Sequence, residues 1–186
     1  MSRLKAAVLL SLCAACAACG LTAAGAQRAG AGDGIAVRAK GRRAVVVRER
    51  GRSHVLDVWE HIEAARVGDA EGLFLTRKGG FIYLVLNVCG PSKSKPDDRQ
   101  CGAGTECNLV WLKLDESWRE LDAKSVRYES CWRPITSDEG PRVNGRTLLL
   151  EYDDLRDDTR HEISYDADEP EEGLMSRTRP VPKENP

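Results

Sequence analysis

Residues 81–89 read FIYLVLNVC, and this stretch decides the fold of the chain. Successive side chains of a β-strand point to opposite faces of the sheet, and here both alternating sets are almost entirely apolar. Such a strand is typical of the middle of a sheet that is covered on both sides. We therefore predict that Tyr83 and Leu84, which point in opposite directions, are both buried.

Turn signals separate this strand from its neighbours. Lys78-Gly79-Gly80 precedes it and is typical of a hairpin. Further short apolar or β-branched runs predict strands at residues 35–39, 44–48, 54–58, 73–77, 109–114, 124–131, 146–152 and 160–165. The pattern indicates a single all-β domain over residues 35–166. We expect an antiparallel meander of about eight strands, either a barrel or a sandwich.

Two segments lack the strand pattern. Asp57-Val-Trp-Glu60 resembles a helix capping box, and apolar residues then recur at helical spacing, so we predict one short helix over 58–66. Residues 167–186 contain four prolines and few apolar residues, which predicts a disordered tail.

The N-terminal region has the anatomy of a secretory signal. Arg3 and Lys5 precede an apolar run over residues 6–19, and Ala24-Gly25-Ala26 offers a cleavage site. This predicts a signal peptide over 1–26, a flexible Gly/Ala-rich linker over 27–34, and a periplasmic or extracellular location. The alternative is a lipoprotein, because Ala17-Ala18-Cys19 resembles a lipidation motif. A lipid on Cys19 would then be the protein's contact with the membrane.

Charge is unevenly distributed along the chain, although the formal net charge is only −1. Residues 28–52 carry eight basic and two acidic side chains, whereas residues 151–172 carry eleven acidic and two basic ones. The favoured interpretation is that both are solvated strand faces lying near one another. The alternative is a basic patch for anionic surfaces and an acidic patch for cations. The near-neutral total argues against nucleic-acid binding.

Four cysteines remain after removal of the signal: Cys89, Cys101, Cys107 and Cys131. An even number in an exported chain predicts two disulfides, and the absence of a close CxxC pair argues against a metal site. Hairpin parity places all four at one end of the sheet. Counting outward from the turn near Trp118 puts Cys107 opposite residues 129–131, which favours Cys107–Cys131 with Cys89–Cys101, while the other two connectivities remain open.

The loop from Cys89 to Glu106, between the strands predicted at 81–89 and 109–114, is the stretch that most resembles a binding site. Its bracketing cysteines would hold it rigid, and its glycines allow positive φ and a close approach to a partner. We predict a binding surface made by Arg99, Gly102, Gly104, Thr105 and Glu106.

Motifs of known enzymes are absent from the sequence: it contains no GxSxG, HExxH, phosphate-binding glycine loop or EF-hand. We therefore expect no cofactor, and a non-enzymatic binding module for an envelope protein or glycan. One alternative is a hydrolase of envelope polymers that pairs Glu106 with Glu129 or Asp115. Another is a purely structural envelope protein.

Overall fold

The computed structural model describes residues 35–93, 101 and 104–181. The predicted signal peptide and linker lie outside these residues. Within them the chain forms two antiparallel sheets, one of three strands and one of nine, and its only helical segments are two single 3₁₀ turns. The all-β, disulfide-linked fold predicted from the sequence is thus confirmed.

The three-stranded sheet has the order β1-β2-β3, and the nine-stranded sheet runs β12-β11-β10-β8-β7-β6-β5-β4 with β9 also paired to β10. The strands are β1 (Ala36–Lys40), β2 (Ala44–Glu49), β3 (Arg52–Asp57), β4 (Asp69–Lys78), β5 (Phe81–Pro91), β6 (Thr105–Leu114), β7 (Glu120–Ser130), β8 (Ile135–Thr136), β9 (Arg142–Asn144), β10 (Thr147–Asp154), β11 (Thr159–Asp166) and β12 (Met175–Pro180).

Strand β5 lies between β4 and β6 and separates two hydrophobic cores. Leu84 is 0% exposed and belongs to the first core, whereas Tyr83 is 4% exposed and belongs to the second. The prediction that both faces of this strand are buried is therefore confirmed.

The first core lies between the small sheet and one face of β4–β7. Val45, Val47 and Leu56 of the small sheet pack against the even-numbered apolar side chains of β5 and β6. His54 of β3 stacks on Trp118 of the β6–β7 turn, with ring centroids 3.8 Å apart and planes 6° from parallel. This contact closes one end of the layer, and burial lowers the pKa of His54.

The second core forms because the large sheet folds back on itself. Leu148, Leu150, Ile163 and Tyr165 of β10 and β11 pack on the odd-numbered side chains of β5 and β6. The short strand β8 connects β7 to β10 where this bend occurs. The sheet is not a closed barrel, so of the two architectures left open by the sequence, face-to-face packing of sheets is correct.

The helix predicted over residues 58–66 is wrong. Only Trp59–His61 forms a 3₁₀ turn. The following backbone N–H groups donate to other strands instead of to the preceding turn: Ala65 to the carbonyl of Pro91, and Gly68 to that of Cys89. A Cβ on Gly90 would collide with the carbonyl oxygen of Arg66, so glycine is required for this crossing.

The prediction of a tail disordered from residue 167 is also wrong up to residue 180. Strand β12 pairs with β11, and Pro170 and Leu174 are buried. The indole N–H of Trp111 donates to the carbonyl of Pro170 at 3.0 Å. The proline-rich composition suggested disorder, but Ala167 and Leu174 of this segment pack into the core that lies on the Tyr83 side of β5.

Truncating a buried side chain of the central strand should destabilise the protein. We expect Leu84→Ala to lower the free energy of unfolding by about 2–5 kcal/mol, because it leaves a cavity in a fully buried site. The matched control is Leu121→Ala, on the exposed start of β7, which should cost less than about 0.5 kcal/mol. Urea unfolding with the disulfides intact measures both. Equal losses would show that β5 is not the centre of the fold.

Candidate functional site

Both disulfides lie at one end of the large sheet, as hairpin parity predicts, but the favoured pairing is wrong. Cys89 is bonded to Cys107, with 4.2 Å between their Cα atoms, and Cys101 to Cys131, with 5.6 Å. The two bridges indicate an oxidising, non-cytoplasmic environment.

The pairing follows from strand register. Cys89 and Cys107 are directly opposite each other on β5 and β6. The hairpin count was right in placing Cys107 opposite Glu129, but β7 ends at Ser130. Cys131 therefore lies in the turn beyond the strand, where it reaches Cys101 of the loop.

The loop that leaves β5 and returns in β6 is closed at its root by a set of bonds. The Ser92 N–H donates to the Gly104 carbonyl at 2.9 Å, and the Gly104 N–H donates to the Cys101 carbonyl at 3.1 Å. The indole N–H of Trp132 donates to the Lys93 carbonyl at 3.0 Å. Together with the Cys101–Cys131 bridge, these contacts attach the loop root to the β7–β8 turn.

Gly104 contributes differently from the sequence-based expectation. It is not among the glycines with positive φ. Instead, a Cβ at this position would collide with Cβ and Sγ of Cys131. The close approach that glycine permits is therefore to the disulfide and not to a partner.

Glu106 is buried, with a side chain that is 0% exposed. Its Oε1 accepts hydrogen bonds from the Ser92 hydroxyl at 2.7 Å and from the Cys131 N–H at 3.2 Å. Its Oε2 lies 3.7 Å from a guanidinium nitrogen of Arg127, which also pairs with Glu63. We call Ser92, Glu106 and Arg127 the buried ion cluster; Glu63, at its edge, is 57% exposed.

Some hydrogen-bonding atoms in and beside the buried ion cluster lack a partner. Among the described residues, Oε2 of Glu106, Nε of Arg127 and Oδ1 of the neighbouring Asn108 have no hydrogen-bond partner. Burial also lowers the pKa of the Arg127 guanidinium. The cluster cannot touch a partner, so Glu106 positions the loop root and is not itself a contact residue.

The other predicted binding residues divide into two groups. Arg99 and Gly102 lie outside the described residues. Thr105 is exposed and lines a shallow groove of about 520 Å³. We call this the disulfide-end groove; it is lined by Thr105, Glu129, Ser130, Cys131, Trp132, Arg133, Pro134, Ile135, Thr136 and Leu155.

Two groove residues come from parts of the chain that the sequence did not point to. Leu155 lies in the β10–β11 turn and is 57% exposed, and its N–H donates to the Pro134 carbonyl. Arg133 lies in the turn after β7. The available signal was that Leu155 is a lone apolar residue within an acidic turn.

A second, smaller recess of about 170 Å³ lies over β10 and β11. Its charged walls are already paired: Arg160 with Asp153 at 2.7 Å, and Arg142 with Glu151 at 3.2 Å. In the adjoining turn Arg156 binds Asp154 and lowers the pKa of that carboxyl to about 2. These carboxylates serve local ion pairs, which leaves little free charge for a ligand.

The carboxylate pairs considered for a hydrolase do not form an accessible site. Asp115 lies at the opposite end of β6 from Glu106, where its carboxylate holds the turn through Ser117 and Arg119. Glu129 lines the groove, but Glu106 lies beneath it and is closed to solvent. A substrate could therefore not reach both carboxyl groups.

No protein-family model matches the chain, and no curated protein or solved structure is significantly similar to it. Across residues 35–93, 101 and 104–181, the structure contains no helix long and apolar enough to cross a membrane.

The disulfide pairing is open to direct test. Peptide mapping without reduction should recover Cys89 linked to Cys107 and Cys101 linked to Cys131. Replacing either pair by alanine should lower the free energy of unfolding by about 3 kcal/mol, because each bridge restricts the unfolded chain. Recovery of a Cys107–Cys131 peptide would contradict the register described here.

The buried ion cluster should be sensitive to loss of one charge. We expect Glu106→Ala to lower the free energy of unfolding by about 3 kcal/mol or more, because it removes two hydrogen bonds and leaves Arg127 undercompensated. The double substitution Glu106→Leu/Arg127→Met removes both charges and should cost less than the single one. Chemical denaturation measures each variant. A loss below about 1 kcal/mol for Glu106→Ala would show that the cluster is not a structural element.

Proposed function

We propose that this protein is a non-enzymatic binding module of the cell envelope, whose disulfide-end groove takes a segment of a partner protein. The observation that carries the proposal is the groove itself. It combines Leu155, Trp132 and Arg133 on a part of the backbone held by the Cys101–Cys131 bridge.

The chemistry of the groove favours a protein partner. Tryptophan and arginine are the side chains most enriched at the energetic centres of protein interfaces. An apolar side chain that remains 57% exposed, as Leu155 does, gains free energy when a partner covers it.

The mechanical setting favours binding too. The loop root, the β7–β8 turn and the β10–β11 turn are joined by the disulfide and by the Leu155–Pro134 hydrogen bond. A groove that is already ordered loses little conformational entropy when it binds, so more of the contact energy becomes affinity. The buried ion cluster lies beneath this surface and holds it in place.

Site-specific photo-crosslinking in the envelope tests the proposal. A photoreactive residue at Leu155 should give a discrete protein adduct, whereas the same residue at Ser176, on the exposed strand β12, should not. Trp132→Ala should reduce the Leu155 adduct at least tenfold, as expected for an interface anchor. The melting temperature of that variant serves as the folding control.

Two outcomes would contradict the proposal. One is equal labelling from Leu155 and Ser176, which would indicate random collision. The other is a Leu155 adduct with glycan alone, which would replace the protein partner by an envelope polymer.

A further inference from the structure

The outer face of the small sheet carries unneutralised positive charge. Residues 36, 38 and 40 of β1, residues 44, 46 and 48 of β2, and residues 53, 55 and 57 of β3 point away from the first core. We call Arg38, Lys40 and Arg48, which lie on this surface, the basic face.

None of these three side chains forms a salt bridge within the described part of the chain. The two acidic residues of strands β1–β3 are already engaged elsewhere. Glu49 points inward and binds Arg77 at 2.6 Å, and Asp57 binds Arg43 at 3.2 Å. The three bases of the basic face are therefore exposed and unpaired.

The acidic half of the chain does not neutralise them either. Three of its carboxylates pair with bases outside β1–β3: Asp153 with Arg160, Asp168 with Arg146, and Glu171 with Lys78 of β4. No ion pair among the described residues links β1–β3 to β10–β12. The interpretation that the basic and acidic stretches compensate each other therefore has no support in the structure.

Apolar surface accompanies the charge. Val55, which is 53% exposed, lies on this same outer surface, and the register places Val46 between it and Arg38. A surface of bases around an exposed aliphatic side chain suits the interface of a bilayer, where cations meet headgroups and a short apolar side chain enters the acyl boundary.

From these observations we propose that the basic face binds the surface of an anionic phospholipid membrane. This goes beyond the expectation that a lipid on Cys19 is the protein's contact with the bilayer. It is also independent of the disulfide-end groove, because no residue is shared between the two surfaces.

The position of the basic face along the chain also favours contact with the membrane. The described structure begins at Ile35, at the end of β1 where Ala36 lies opposite Arg48. Were Cys19 lipidated, the sixteen residues over 20–35 could span at most about 55 Å. The basic face would then be held close to the bilayer. One acyl chain with one basic patch is a combination that gives stable anchoring.

The experiment uses the full chain with Cys19→Ser, exported and purified with its disulfides intact, so that no acyl group confuses the result. Binding is measured by cosedimentation with vesicles of phosphatidylcholine alone or with 30% phosphatidylglycerol. We expect binding to the anionic vesicles at about 0.1 M salt, little binding to the neutral ones, and loss at about 0.5 M salt because exposed charges are then screened.

Matched variants locate the surface. Arg38→Gln/Lys40→Gln/Arg48→Gln should weaken binding about ten- to a hundredfold, since each base near an anionic bilayer contributes about fivefold. Arg66→Gln/Lys93→Gln/Arg177→Gln removes the same number of exposed bases without salt bridges elsewhere, and should change binding less than about threefold. Circular dichroism and the melting temperature show whether each variant is folded.

Three results would overturn the proposal. The first is failure of the folded protein to bind anionic vesicles, and the second is equal weakening by the two triple variants. The third is salt-sensitive binding to a soluble polyanion such as heparin without binding to vesicles, which would assign the face to an anionic polymer.

Discussion

Burial of β5 on both faces is the constraint on which the rest of the structure depends. A strand whose two sets of side chains are both apolar needs a layer on each side, and a single sheet cannot supply them. The small sheet covers one face, and the large sheet folds back at β8 to cover the other. The crossing segment over residues 58–68 and the segment that ends in β12 are consequences of this arrangement, because each seals an edge of one core.

The end of the sheet that carries the disulfides is organised by polar and covalent contacts instead of apolar ones. Cys89–Cys107 links the central strands where their apolar run stops, and Cys101–Cys131 attaches the loop to the next turn. Between them lies Glu106, held by Ser92 and facing Arg127. Removing one partner of a buried ion pair is strongly destabilising, so the charges of this region favour a single arrangement of the loop root.

The two ends of the chain differ in how many of their charged side chains form salt bridges. Around β10 and β11, several carboxylates form salt bridges with nearby arginines, as in the pairs of Arg160 with Asp153 and Arg156 with Asp154. On β1–β3, Glu49 and Asp57 are engaged by Arg77 and Arg43, and the remaining bases are left to solvent. A protein with near-zero total charge thereby presents one basic surface.

The sequence by itself determined the hairpins, the burial of Tyr83 and Leu84 and the gathering of four cysteines at one end, because side-chain alternation and turn chemistry are local properties. Tertiary structure decided the rest. Whether Cys131 lies within β7 or beyond it depends on where that strand stops pairing. The setting of Glu106 depends on Ser92, Arg127 and Cys131, which are distant from it in the sequence. Strand β12 and the separation of the two charged stretches likewise depend on which strands become neighbours. Periodicity specifies which face of a strand is apolar, but only the packed fold specifies what that face meets.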